Sequence, residues 1–141
     1  MLPVEEKGKW QRSHVLEQGL HRSQLTVRKY LENRENLAKL FCEANLAIIP
    51  SRTEGFGLTA LEALSACLPI LVSQNSGFGE ALAKVQNGLS CVVDSEDPQH
   101  WAVAIKNVRL KRSQTRLEEC QTVRRHYDEM YSWNKQCDKY M

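Results

Sequence analysis

Three observations predict an α/β fold with a parallel sheet covered by helices on both faces. Short, wholly apolar runs recur at Leu46–Ile49, Pro69–Val72 and Cys91–Val93, the pattern of strands buried on both sides. Segments of helical spacing stand between them, so strand and helix alternate from residue 25 to about 108. The length, 141 residues, suits one domain and allows a core without disulfides or metals.

In residues 1–24 a weak apolar set (Trp10, Val15, Leu16, Leu20) and Gly19 suggest a helix followed by a turn. Leu25–Leu31 alternates apolar and polar residues and reads as a strand. Asn33 is placed to cap a helix whose face carries Leu37, Leu40, Phe41 and Ala44. After the run at 46–49, Thr59–Ala66 reads as a helix, Ser73–Gly79 as a loop, Glu80–Val85 as a short helix and Asn87-Gly88 as a turn. Asp97-Pro98 combines a capping side chain with proline at the first helical position, and Trp101, Ile105 and Val108 continue that helix. From Lys111 the chain is charged and helical, with Leu117, Cys120, Val123, Tyr127 and Tyr131 as its buried stripe and Ser132-Trp133 starting a last helix. Three segments result: 1–24 as the remnant of a truncated sheet unit, 25–110 as the α/β domain, and 111–141 as helices packing on it.

Composition excludes several classes of function. Nineteen basic and 17 acidic residues give a net charge of +2, too balanced for a nucleic-acid partner. The basic run Lys106, Arg109, Lys111, Arg112, Arg116, Arg124 and Arg125 is interrupted by Glu118, Glu119, Asp128 and Glu129, as on a solvated helix. No apolar run approaches the ~20 residues of a membrane span, and MLPVEEKGKW is too polar for a signal peptide. Five singly spaced cysteines and four isolated histidines (His14, His21, His100, His126) offer no metal spacing. The cysteines sit in apolar or helical stretches, and the expected setting is the reducing cytoplasm. Trp101 and Trp133 read as packing residues.

The chemistry concentrates in the loop after Leu46–Ile49, because ligands of parallel sheets sit at the carboxyl ends of strands. It reads Pro50-Ser51-Arg52-Thr53-Glu54-Gly55-Phe56-Gly57-Leu58-Thr59-Ala60-Leu61-Glu62. Gly55 and Gly57 let backbone approach a ligand closely, and they lead into a helix whose first amides are unpaired and partly positive. Strand, glycine turn and helix N-terminus make a phosphate site. Glu54 and Glu62 would repel phosphate but suit hydroxyls. A diphosphate flanked by hydroxyl-bearing rings, a nucleotide sugar, satisfies all three features.

PSRTEGFGLTALEAL resembles the E-x7-E signature of retaining GT-B glycosyltransferases. Gly77, Gly79 and Glu80 resemble the family's glycine loop ending in Glu, and Gly88, Val92-Val93 and Asp97-Pro98 resemble its G-x-L-V…D-P tail. The resemblance spans roughly 25–110. It implies a Rossmann-like GT-B C-terminal half, incomplete here, with a helical tail. It also implies that Glu54 contacts the sugar hydroxyls, that Glu62 grips the ribose diol, and that the backbone of Gly55, Phe56, Gly57 and Leu58 meets the diphosphate and sugar. Ser51, Arg52, Gly77, Gly79 and Glu80 are secondary candidates. No cofactor or metal is implied; the donor is a nucleoside-diphosphate sugar, transferred with retention.

Three departures stand out. Cys67 occupies a position where the family has a small residue, usually glycine, and its larger side chain must be accommodated by helix–strand packing. Lys7-Gly8 lies too close to Leu25 for the strand–helix unit that carries the family's phosphate-neutralising Arg and Lys. The acceptor-binding N-terminal domain with its active-site His is absent from this sequence. The isolated chain is therefore expected to be inactive. An uncovered sheet edge would favour self-association into homo-oligomers, unless residues 1–24 fold back over it. A non-catalytic module that senses nucleotide sugars or offers an interaction surface is the alternative. A nicotinamide-binding domain is disfavoured, since no G-x-G-x-x-G follows a first strand.

Overall fold

The computed structural model describes residues 17, 19–28, 33–51, 57–132 and 138. The chain divides into two compact units, Met1–Leu37 and Ala38–Met141. In the first, Gly19 turns the chain at φ +90°. A short 3₁₀ helix, Arg22–Gln24, is closed by His21, whose backbone N–H donates to Gln24 Oε1 at 2.8 Å. The strand expected over 25–31 does not form across its described part. Leu25 and Val27 are half-buried and Thr26 and Arg28 exposed, but these residues join no ladder; alternation supplies a strand's two faces, and only a paired neighbour makes it one. Lys29–Leu31 lie outside the described residues.

Helix α1, Arg34–Glu43, starts as its sequence dictates, with Glu35 N–H donating to Asn33 Oδ1 at 2.8 Å. The second unit then runs β1 (Ala47–Ile49), α2 (Leu58–Ser65), β2 (Ile70–Ser73), α3 (Gly77–Ala83), a 3₁₀ turn (Gly88–Cys91), β3 (Val92–Val93), α4 (Pro98–Leu110) and α5 (Ser113–Tyr131). The strands form one parallel sheet in sequence order, with Ile48 beside Leu71 and Val72 beside Val92. This is the Rossmann-like α/β arrangement with a helical C-terminal region that the sequence predicts.

Alternation along the strands assigns the two faces. Ile70 and Val72 point into a buried cluster with Ala60, Ala63 and Leu64 of α2, Phe78 and Leu82 of α3, and Cys120, Val123 and Tyr127 of α5. Phe78 and Tyr127 stack with ring centroids 5.5 Å apart, and Tyr131 continues the row 4.8 Å from Tyr127. On the opposite face α4 brings Trp101, Ala102 and Ile105 to a hollow shared with Ile48 and Ser73. That face is incompletely covered: Ile48 is 43% exposed, so β1 is not the doubly buried strand its apolar run suggests. Leu117, placed in the buried stripe by its spacing, is 39% exposed. It lies one turn before Cys120, where the stripe enters the core.

Helix α3 begins earlier than its sequence suggests. Ser76 caps it by accepting from Gly79 N–H at 3.0 Å, and its own hydroxyl donates to Ser73 O at 2.8 Å. Gly77 and Gly79 therefore belong to the first helical turn and not to a loop. The cap at the end of α2 explains Cys67. Leu68 N–H donates to Ala63 O at 3.1 Å and Cys67 N–H to Leu64 O at 2.9 Å, the paired bonds of a Schellman motif. Cys67 holds the left-handed position at φ 57°. A small residue suits this site because of its backbone angle, and not because of helix–strand packing as the sequence suggests. A side chain there costs about 1–2 kcal/mol, most for β-branched residues. Cys67→Gly is accordingly expected to be at least as stable as the parent, and Cys67→Val about 1–2 kcal/mol less stable than the glycine variant. Urea denaturation checks this; equal midpoints for the two variants would refute it.

Candidate functional site

A parallel sheet sends every following helix away from its carboxyl edge, so α2, α3 and α4 all point their N-termini toward that edge. Their caps differ. Asp97 closes α4 with a carboxylate that accepts from Gln99 N–H at 2.9 Å. Ser76 closes α3 with a neutral hydroxyl. Helix α2 has Gly57 at its cap, at φ 87° and ψ 60°, with no side-chain hydrogen bond. Its first bonded amide is that of Ala60, which reaches Gly57 O at 3.1 Å, so the helix leaves the amides of Leu58 and Thr59 without an intrahelical acceptor. Both residues are exposed, Leu58 to 66%. Of these three helices, α2 is the one whose N-terminus no described side chain closes, and its partial positive charge stands at the carboxyl edge.

Glu62 lies one turn further along α2, on the same side as Leu58. The other side of the helix buries Ala60, Ala63 and Leu64. Glu62 is exposed, and among the described residues its carboxylate accepts no hydrogen bond. Ser51 is half-buried just past β1. Arg52, Glu54, Gly55 and Phe56 lie outside the described residues.

The secondary candidates separate by environment. Gly79 is buried, and a Cβ there would lie 2.1 Å from Ser73 O, so its missing side chain is required by the approach of α3 to the end of β2. Gly77 is half-buried and Glu80 exposed in the first turn, where a carboxylate complements the helix dipole. With its amide nitrogen turned toward Asp94, Gln74 donates to both carboxylate oxygens at 2.6 and 2.9 Å, and its backbone N–H reaches Val93 O at 3.2 Å. These bonds tie together the segments after β2 and β3. Nothing in the spacing of Gln74 and Asp94 announces the pair; only the sheet register brings them together.

One feature of the carboxyl edge escapes sequence reasoning. Pro50, Ser73, Ser95, Trp101 and Ile105 line, with Ile48, a hollow of about 470 Å³ on the α4 face. Trp101 is held by its indole N–H, which donates to Ser95 O at 2.8 Å. The residue is therefore both a packing group and a groove wall. Among the described residues no group of three or more His, Cys, Asp or Glu side chains is placed to hold a metal. No described helix is long and apolar enough to cross a membrane.

Known proteins resemble this chain in sequence. A family model described as "Family 4 Glycosyltransferase in conflict systems" matches residues 3–140. The D-inositol 3-phosphate glycosyltransferase of Corynebacterium urealyticum is 38% identical over 71 residues, covering 50% of this chain and 16% of that protein. A glycogen synthase of Mycobacterium tuberculosis is 40% identical over 79 residues, covering 56% of this chain and 18% of its own length. The D-inositol 3-phosphate glycosyltransferase of Rhodococcus erythropolis is 31% identical over 104 residues, covering 74% and 23%. The chain spans less than a quarter of the length of these relatives.

Proposed function

For a chain that belongs to the family 4 glycosyltransferases of conflict systems, we propose the role of donor-binding domain, taking a nucleoside-diphosphate sugar at the open N-terminus of α2. The observation that carries this reading is the left-handed, side-chain-free cap at Gly57 with the exposed Glu62 on the same side of the helix. The amides of Leu58 and Thr59 meet the diphosphate, where helix and ligand charges attract. Glu62 accepts from the ribose diol. Glu54, by its place in the signature, accepts from the sugar hydroxyls. Transfer proceeds with retention and without a metal. Positive groups and the helix N-terminus stabilise the leaving diphosphate, and the acceptor site and phosphate-neutralising side chains come from a further domain.

Titration calorimetry with the uridine, guanosine and adenosine diphosphates and their sugar conjugates tests the reading. Binding by at least one member is expected near millimolar affinity, about −4 kcal/mol. Glu62→Gln is expected to weaken it roughly tenfold, through loss of a charged hydrogen-bond acceptor. No heat and no chemical-shift change with any member at millimolar ligand would end the donor-site reading. The isolated chain is expected neither to transfer sugar nor to hydrolyse donors above background. Turnover that disappears in Glu54→Gln would show that the acceptor machinery is not needed. Binding without turnover, persisting when an acceptor-binding domain is added, would favour the non-catalytic module.

A further inference from the structure

We propose that Cys67 and Cys120 form an oxidisable dithiol pair, in which peroxide attacks at Cys67 and Cys120 closes an intramolecular disulfide. Cys67 follows the end of α2 and faces α5. It lines one hollow with Ser113, Arg116 and Leu117 and a second with Gln121, Arg124 and α5 residues as far as Glu129, so Cys120 falls between the two sets of α5 residues that flank it. Between Arg116 and Arg124, Cys120 and Val123 are the residues that turn inward, at 6% and 2% exposed, and Cys67 packs against the cluster that contains both. Arg124, one turn beyond Cys120 and on the same side of α5, donates from Nη1 to Cys67 Sγ at 3.3 Å.

The two sulfurs differ in a way that assigns their roles. Cys67 is half-buried, adjoins an open hollow, and carries a guanidinium hydrogen bond on its sulfur. That bond in turn pushes the Arg124 pKa above its ordinary value and keeps the cation in place. Burial, reinforced by the nearby Cys67 and Cys91, pushes the Cys120 thiol up to about 12. Cys120 therefore stays a thiol at neutral pH and acts second. Cys91 lies on another hollow, beside Cys120 and Ser90, and its thiol is also raised by burial.

The chemistry balances with hydrogen peroxide as the oxidant. The Cys67 thiolate attacks one peroxide oxygen; an S–O bond forms, the O–O bond breaks, and hydroxide leaves. The sulfur loses two electrons and the peroxide gains them. The Cys120 sulfur then displaces the hydroxyl of the Cys67 sulfenic acid, its proton leaves with that hydroxyl as water, and the S–S bond forms. The product staples the C-terminal end of α2 to the middle of α5.

The full chain, reduced and then treated with hydrogen peroxide, tests the proposal by mass spectrometry of its non-reduced peptides. A Cys67–Cys120 cross-linked peptide, two hydrogens lighter than its parts, is expected to predominate. Because the attacking form of Cys120 is the thiolate, which burial makes scarce at neutral pH, closure is expected to quicken as pH rises. In Cys120→Ala, which needs no polar replacement in the core, Cys67 is expected to accumulate a dimedone-trapped sulfenic acid several-fold above the parent. Arg124→Gln is expected to slow oxidation of Cys67 several-fold. A cross-link that uses Cys91 or Cys42 instead would overturn the proposal. So would a Cys67 left as thiol, without a dimedone adduct in Cys120→Ala, at peroxide doses that oxidise the urea-unfolded chain.

Discussion

Phe78→Ala is expected to remove about 3–5 kcal/mol of stability, the range for truncating a fully buried aromatic. Phe78 is 0% exposed and sits where β2, α2, α3 and α5 meet. Its ring packs on Tyr127, so the substitution leaves a cavity whose walls come from four elements that cannot all close on it. A domain holds about 5–15 kcal/mol in total, so roughly a fifth or more of the stability is at stake. With a urea slope of about 1–3 kcal/mol per molar, the midpoint is expected to fall by more than 1 M. A loss below about 1 kcal/mol would mean that the site collapses freely and that the cluster is not packed as described.

Gly79→Ala is the second large effect, and its sign is the informative part. Alanine for glycine in an ordinary helix position stabilises by about 0.5–1 kcal/mol. Here the added Cβ would lie 2.1 Å from the carbonyl oxygen of Ser73 and 3.0 Å from Ser76 Oγ. The first of these atoms is backbone at the end of β2, and the second is the cap of α3. Neither can yield without moving a strand end or breaking the cap, so a loss of about 3 kcal/mol is expected, the upper range for overpacking. Thermal melting checks it. A variant that melts at or above the parent temperature would show that α3 does not rest on Ser73.

These two residues also mark how far the sequence could be read. Phe78 lies within 73–79, which reads as a loop because glycines flank it and glycine disfavours helix. The helix starts there because Gly79 removes the side chain that would block contact with the strand, and that contact spans elements no local pattern connects. By contrast, the start of α4 was legible because Asp97 and Pro98 act within their own turn. The strands β1, β2 and β3 were legible to within two residues because burial leaves apolar runs. The exposure of Ile48 was not, since three apolar residues record that a strand exists but not what covers it. At the site, the open cap at Gly57 and the exposure of Glu62 followed from glycine and helical spacing. The groove wall at Trp101 and the Gln74–Asp94 tie did not, because each joins segments brought together only by the sheet register.

The cluster around Phe78 has a consequence for how the chain is made. Val123 and Tyr127 belong to it, yet they follow every described strand in the order of synthesis. A nascent chain that has completed α4 holds its three strands and their loops while Val72, Leu64 and Phe78 still face water. Apolar surface exposed in this way invites misassociation. The ribosome thus delivers the carboxyl edge of the described sheet before the helix that seals its interior, so a chain stalled within α5 would present that sheet with an unsealed core.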